Sequence, residues 1–244
     1  CRAMQGFECF CFNLDAISGR NWDEVTAKVL SIYPKFLRIQ GLERSRFYRR
    51  VHYLMPLLQL ICLYFNQLDF DELVIIDSFP VLLCQPVRNH QAKVLNEVAN
   101  IGYCASKNMW FYGFKIHLAV TESGYILDYL VTPVSVHDIQ VAEELLDAIP
   151  YTPVLADLDY LGKELKKRLE AKGIDFLTPI CKNMKGAAEH NNPAILTIRR
   201  TIETRISVLN ALFNIEHPLA RSLAGLQLEI ERAILVYNLG FFIN

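Results

Sequence analysis

Leu73-Val74-Ile75-Ile76-Asp77 and Pro153-Val154-Leu155-Ala156-Asp157 are two short apolar runs that each end in an acid. Both are too short for a buried helix, and the first is rich in β-branched residues. Length and composition predict two buried strands. Between them, Tyr112 to Val120 alternates. Tyr112, Phe114, Ile116, Leu118 and Val120 fall on one face, and Lys115, His117 and Ala119 on the other. Glu122-Ser123-Gly124 reads as a turn and Tyr125 to Val131 as a return strand, so the two form a hairpin. Ser135 then reads as the N-cap of a helix through Leu146, with Asp138 as its capping-box acid.

Beyond the second acidic run, residues 162–171 form a charged amphipathic helix that Gly173 stops. Ile174 to Leu177 is a short strand, and residues 181–192 are a polar loop. Ile195 to Phe213 is a long helix with Ile198, Ile202, Ile206, Leu209 and Phe213 on one stripe, and Leu223 to Phe242 is a last helix. Residues 79–111 show no firm period. This order predicts an α/β fold, a mixed five-stranded sheet flanked by helices. Residues 22–40 have loose helical periodicity, and Leu54 to Phe65 reads as a buried apolar helix. The expected organisation is a helical N-terminal region over 1–70 and an α/β domain over 71–244.

The chain has 244 residues, 52% hydrophobic and 21% charged, which excludes a disordered polymer. Its 11 Gly and 10 Pro are scattered, which excludes collagen-like and low-complexity classes. A chain of this length buries a core without disulfides. No apolar run reaches the ~18 residues that crossing a bilayer requires, and no basic-then-apolar leader is visible. The N-terminal region, opening on Cys1, is expected to be truncated. None of the seven cysteines is in C-x-x-C spacing, so they read as reduced intracellular thiols rather than a zinc site. Charge is uneven: residues 1–70 carry 9 basic and 6 acidic side chains, 71–150 carry 4 and 10, and 151–210 carry 10 and 7. An acidic middle between basic segments suits central metal ions and a peripheral polyanion.

Three carboxylates carry the chemistry. Asp77 and Asp157 end strands that are expected to be neighbours, and Glu203 lies beside the apolar stripe of the long helix. Taken singly, each has a plain reading: a strand-end Asp caps a turn, and Glu203 pairs with Arg199 one turn earlier. Together they repel one another. A divalent cation removes that repulsion, and oxygen-only ligands suit Mg²⁺ or Mn²⁺. Two such ions ~4 Å apart activate a water or hydroxyl and stabilise the leaving oxygen of a phosphodiester.

Five segments carry a resemblance in order: Val74-Ile75-Ile76-Asp77-Ser78-Phe79-Pro80, Tyr112-Gly113-Phe114-Lys115-Ile116-His117, Thr132-Pro133-Val134-Ser135-Val136-His137-Asp138, Ala156-Asp157-Leu158-Asp159-Tyr160 and Arg199-Arg200-Thr201-Ile202-Glu203-Thr204. The basic stretch Ser45-Arg46-Phe47-Tyr48-Arg49-Arg50 fits as well. From about residue 35 onward the chain resembles the DDE transposases of bacterial insertion sequences, and looks most like insertion-sequence group nine-eight-two. The resemblance implies an RNase H-like catalytic domain and metal-dependent cleavage and strand transfer on double-stranded DNA, both element ends and target. It implies Asp77, Asp157 and Glu203 as catalytic metal ligands for two Mg²⁺ or Mn²⁺ ions. Arg199 then matches a basic position that contacts phosphate; Lys115, Arg200, Arg46, Arg49 and Arg50 are further candidate DNA contacts, with a solvated helix surface as the plain reading of the last three. A homodimer in the active complex, a cytoplasmic, nucleoid-associated location and no membrane partner also follow.

The chain departs from the family pattern in the second acidic motif, where Leu158 stands in place of a basic residue and Asp159 in place of a small one. Asn210 stands where related groups often carry Lys. Two other readings compete. One is a catalytically decayed, DNA-binding derivative. The other is a glycosyltransferase using Asp157-Leu158-Asp159 as a D-x-D metal motif, which leaves Asp77 and Glu203 unexplained.

Overall fold

The computed structural model describes residues 44–66, 73–105, 107–147, 149, 153–160, 162–179 and 193–243. The expectations for residues 22–40 and 181–192 lie outside them. The chain divides into two compact units. One spans Asp69–Pro218 and holds the sheet; the other comprises, among the described residues, three helices.

In the helical unit, α1 (Arg44–Tyr53) and α2 (Met55–Asn66) are separated at Leu54, and Pro56 stands in the first turn of α2. Proline is tolerated there because that N–H has no intrahelical acceptor. The last helix, α6 (Leu223–Ile243), packs on α2, and Gln59 Nε2 donates to Glu231 Oε1 at 3.2 Å. The expectation of a buried helix over Leu54 to Phe65 is corrected. Leu57, Leu60, Leu63 and Tyr64 are all at least half exposed. α2 is apolar nearly all round, and among the described residues α6 covers one side of it.

The sheet unit is built on β1 (Val74–Leu82), which pairs antiparallel with β3 (Met109–Thr121) and parallel with β5 (Val154–Ala156). β6 (Phe176–Leu177) pairs parallel with β5. On the far side of β3, β2 (Asn100–Cys104) pairs with Met109–Gly113 and β4 (Ile126–Pro133) with Phe114–Val120. The sheet is mixed, as expected, but has six strands rather than five. The extra strand, β2, lies within a segment that shows no period because only the Gly102 position of its five is buried. β2 and β4 share one lateral position along the long β3, so the sheet is five positions wide.

β1 also runs past Asp77, where the apolar run ends. Its continuation through Pro80 is held by β3 alone. Leu82 N–H donates away from β3 to the Glu216 carbonyl, so by alternation Pro80 would aim its missing N–H toward the same open side. The β3–β4 hairpin turns at Glu122 and Ser123, and Gly124 follows at φ 97°. Arg205 from the long helix donates to the Ser123 carbonyl at 2.8 Å, fixing the tip.

Helices flank the sheet. α3 (Asp138–Asp147) packs on β3 and β4, α4 (Lys163–Ala171) on β6 and α3, and α5 (Pro193–Phe213) on β1. Ile202, Leu209 and Phe213 of the expected stripe are buried. Ser135 does not cap α3: the helix starts at Asp138, and Ser135 Oγ accepts from Asn100 Nδ2 at 2.6 Å, tying β4 to β2. The charged face of α4 is engaged internally. Arg168 meets Glu143 at 2.9 Å, and Lys172 meets Glu143 and Asp147 at 3.0 and 2.8 Å.

β3 is buried on both faces, so the alternating Lys115, His117 and Ala119 face is an interior face too. His117 is fully buried between the Tyr160 hydroxyl at 3.2 Å and Thr132 Oγ1 at 2.9 Å. Desolvation pushes its pKa down to about 4, against an upward pull from Asp138. The folded protein therefore binds fewer protons here than the unfolded chain between pH about 6.5 and 4. Stability from a neutral His117 is present above that window and lost as pH falls through it. His117→Gln is expected to gain stability relative to wild type across that fall, by up to about 3 kcal/mol, read by urea unfolding at each pH.

Backbone packing makes a second test. A Cβ on Gly113 would lie 1.9 Å from the Val81 carbonyl oxygen, at φ 157°. Gly113→Ala is expected to destabilise by roughly 3 kcal/mol or more, because the added Cβ meets backbone, which cannot rotate away. At helical Gly240 nothing lies within 4 Å of the added carbon, so Gly240→Ala should stabilise by about 0.5–1 kcal/mol. Thermal unfolding of the two variants checks the contrast.

Candidate active site

The parallel register Val74↔Val154, Ile75↔Leu155, Ile76↔Ala156 carries both chains forward together. Asp77 and Asp157 are the next residue on each strand. β5 ends there, while β1 continues. A cavity of ≈ 510 Å³ opens beyond the end of β5, lined by Asp77, Asp157 and Glu203 together with Lys115, Asp138, Asp159 and Arg199. Two strands and the first half of α5 thus bring the three sequence-predicted acids to one cleft.

Their environments differ. Asp77 accepts a hydrogen bond from the Ser78 backbone N–H at 2.7 Å. Burial pushes its pKa up to about 7, and the charges of Asp157 and Glu203 add to the rise. The Ser78 N–H and Arg199 pull the other way. Asp157 is held by Arg199 Nη2 at 2.7 Å, and the same nitrogen reaches Glu203 Oε1 at 3.3 Å. The Glu203 side chain is 55% exposed, so it stands at the open side of the cleft rather than against the sheet. Among the described residues, no three His, Cys, Asp or Glu side chains are arranged to hold a metal ion together. The chemistry of the donor set nevertheless suits one. The acids offer oxygen ligands only, and they crowd one another enough to help raise Asp77.

Adjacent strand residues point to opposite faces. Asp77 therefore faces the acids, while Ser78 Oγ donates to Asp138 Oδ2 at 2.6 Å. Lys115 forms an ion pair with the other Asp138 oxygen. The capping-box spacing predicts Asp138 as a capping acid. It is buried at the start of α3, and it anchors both the residue after Asp77 and the one lysine that β3 supplies. A signal was present in the sequence: a helix that follows an antiparallel strand within a few residues starts at the sheet edge, where the β1 acid also lies.

Asp159, in the helical turn Leu158–Tyr160, is exposed and lines the cleft. Burial raises its pKa, and Asp157 and Asp138 add to the rise. The cleft wall also holds Lys107 and Glu216, paired at 2.6 Å. Asn210 exchanges two bonds of 3.3 Å with Glu216, and so fixes a carboxylate that holds Lys107 at the rim. Arg200 is exposed on α5 and does not line the cleft. Arg46, Arg49 and Arg50 are exposed on α1 in the other unit. Cys84 and Cys104 are thiols outside any disulfide. No helix among the described residues is long and apolar enough to cross a membrane.

No curated protein matches the chain. The family model of the transposase DDE domain matches residues 68–223, which takes in β1, the hairpin, β5 and all of α5. The mixed sheet with flanking helices is the RNase H-like architecture of that domain. The chain belongs to the DDE transposase family.

Proposed function

We propose that this protein is a working member of its family. In this reading it cleaves a phosphodiester at the ends of an insertion sequence and joins the freed end to target DNA, with Mg²⁺ or Mn²⁺. The observation that carries the proposal is the placement of Asp77 and Asp157 at matching points of two parallel strands, with Glu203 across the same cleft.

Six carboxylates and three basic side chains line the cleft, a formal excess of three negative charges. A DNA backbone does not enter such a cleft unaided. Asp77, Asp157 and Glu203 would hold two divalent ions, which supply charge neutralisation and an activated oxygen nucleophile. Asp77 and Asp157 fix the positions because they sit on paired strands; Glu203, on a helix and more exposed, completes the set. In the first step a water oxygen bonds to phosphorus and the P–O3′ bond breaks, leaving a 3′-hydroxyl. In the second step that hydroxyl bonds to a target phosphorus and displaces the target's own 3′-oxygen. Neither step needs a nucleoside triphosphate. Arg199 and Lys115, at the cleft, are suited to phosphates near the scissile bond. Arg200 on α5 and Arg46, Arg49 and Arg50 on α1 are suited to flanking duplex. We assign the chemistry to residues 71–244 and DNA holding to residues 1–70. The likeness to group nine-eight-two, a dimeric active complex and action on the bacterial nucleoid belong to the same reading.

Asp77→Asn is expected to retain the fold and lose Mg²⁺-dependent nicking of an element-end duplex by about 10³-fold or more. Cleavage at the wild-type rate with normal metal dependence would remove Asp77 from the site. A variant set that binds DNA while the wild type itself never cleaves would support the decayed-copy reading.

Asp159 makes a separate test. It sits beyond the paired strands, exposed, and adds negative charge where phosphate must approach. Asp159→Ala is expected to keep metal-dependent cleavage within a few-fold and to tighten DNA binding, measured by fluorescence anisotropy at two salt concentrations. Complete loss of metal binding in this variant would instead favour a D-x-D site.

A further inference from the structure

The guanidinium of Arg199 occupies the middle of the acidic cluster. Its Nη2 bonds Asp157 Oδ2 at 2.7 Å and Glu203 Oε1 at 3.3 Å, bridging an acid on β5 to one on α5. Its Nε is buried and has no acceptor among the described residues. A buried N–H donor left unpaired is unfavourable. The side chain is thus satisfied at one corner and unsatisfied at another, as expected for a group with a second position.

We propose that Arg199 is a built-in placeholder cation, which neutralises Asp157 and Glu203 in the metal-free protein and must leave them before a divalent ion can use them. The inference rests on the triad reading above. Bonds from a guanidinium to a carboxylate are directional and charge-assisted, and at 21% side-chain exposure they are only partly screened by water. A divalent ion must displace them. Arg199 therefore weakens ion binding while it stabilises the empty site. Once released, the guanidinium has donors free, including Nε, for an anion such as a phosphodiester. Ion and DNA binding then favour each other, each by the same factor.

The test is Mn²⁺ titration by calorimetry on the full chain without DNA, with thermal unfolding in chelator. Arg199→Gln is expected to bind Mn²⁺ at least about tenfold tighter than wild type and to melt lower when metal-free. A role in holding the site's shape alone would weaken Mn²⁺ binding instead. Unchanged or weaker Mn²⁺ affinity in a folded Arg199→Gln overturns the inference. Should that variant fail to fold, Arg199→Lys, which keeps the charge on a shorter side chain without the directional guanidinium donors, is expected to show the same tightening to a smaller degree; no tightening overturns the inference. The triad reading is tested apart from it by a variant with Asp77→Asn, Asp157→Asn and Glu203→Gln combined. Mn²⁺ binding that persists there sinks the triad and the placeholder together. Binding lost there but not tightened in Arg199→Gln sinks the placeholder alone.

Discussion

The parallel pairing of β1 with β5 is the constraint on which the site depends. Only three residues of each strand are paired, Val74–Ile76 with Val154–Ala156, and all six are buried. Burying side chains of this kind contributes about 1.5–3 kcal/mol for each Val, Leu or Ile. Together they outweigh the roughly 4 kcal/mol that the raised pKa of Asp77 implies for keeping it ionised. The apolar run thus holds an unfavourable acid in place. A slip of one residue would place Asp77 or Asp157 within the pairing and turn buried side chains to the opposite face.

What surrounds the acids is arranged by the same alternation. On β1, odd and even positions face different neighbours. Asp77 looks to Asp157 and α5, while Ser78 looks to Asp138 and α3. Behind Ser78 lie Lys115, His117, Thr132 and Tyr160, a buried polar layer whose side chains mostly partner one another. Such a layer costs little when satisfied and much when one member is removed. It fixes the strand that carries Asp77 from the face opposite to the acid itself. Helix α5 does the equivalent from the other side, anchoring through Ile202 and Leu209 and clamping the hairpin tip through Arg205.

Much of this was legible in the sequence. The two acid-terminated runs, the hairpin at Glu122-Ser123-Gly124 and the stripe of α5 follow from period and turn chemistry. Asp77 and Asp157 follow from where the two runs end, and Glu203 from its place beside the stripe of α5. The misses have physical causes. β2 is a mostly exposed edge segment, so it carries no hydrophobic period, and its pairing is set by the length of β3. α2 is apolar on every side, and composition cannot say how many neighbours a helix has. Asp138 fits a capping pattern, and only the spatial approach of Ser78 and Lys115 distinguishes an anchoring acid from a cap. The Arg199–Glu203 pair follows from i,i+4 spacing, but the reach of the same guanidinium to Asp157 depends on how α5 lies against the sheet, which no linear spacing encodes.

The near-neutral net charge of −1 is a poor guide to a protein that handles a polyanion. What matters is where the charges lie. The cleft is negative, and its own cations are already engaged: Lys115 by Asp138, Lys107 by Glu216 and Arg199 by Asp157 and Glu203. A phosphate arriving at such a surface finds donors that are spoken for. A cation that relieves Asp157 and Glu203 also frees Arg199, so a single event reduces the negative charge of the cleft and supplies hydrogen-bond donors. Coupling of this kind needs no movement of the sheet. It needs only side chains on fixed elements with two sets of partners, which is what a cleft between a rigid strand pair and one long helix supplies.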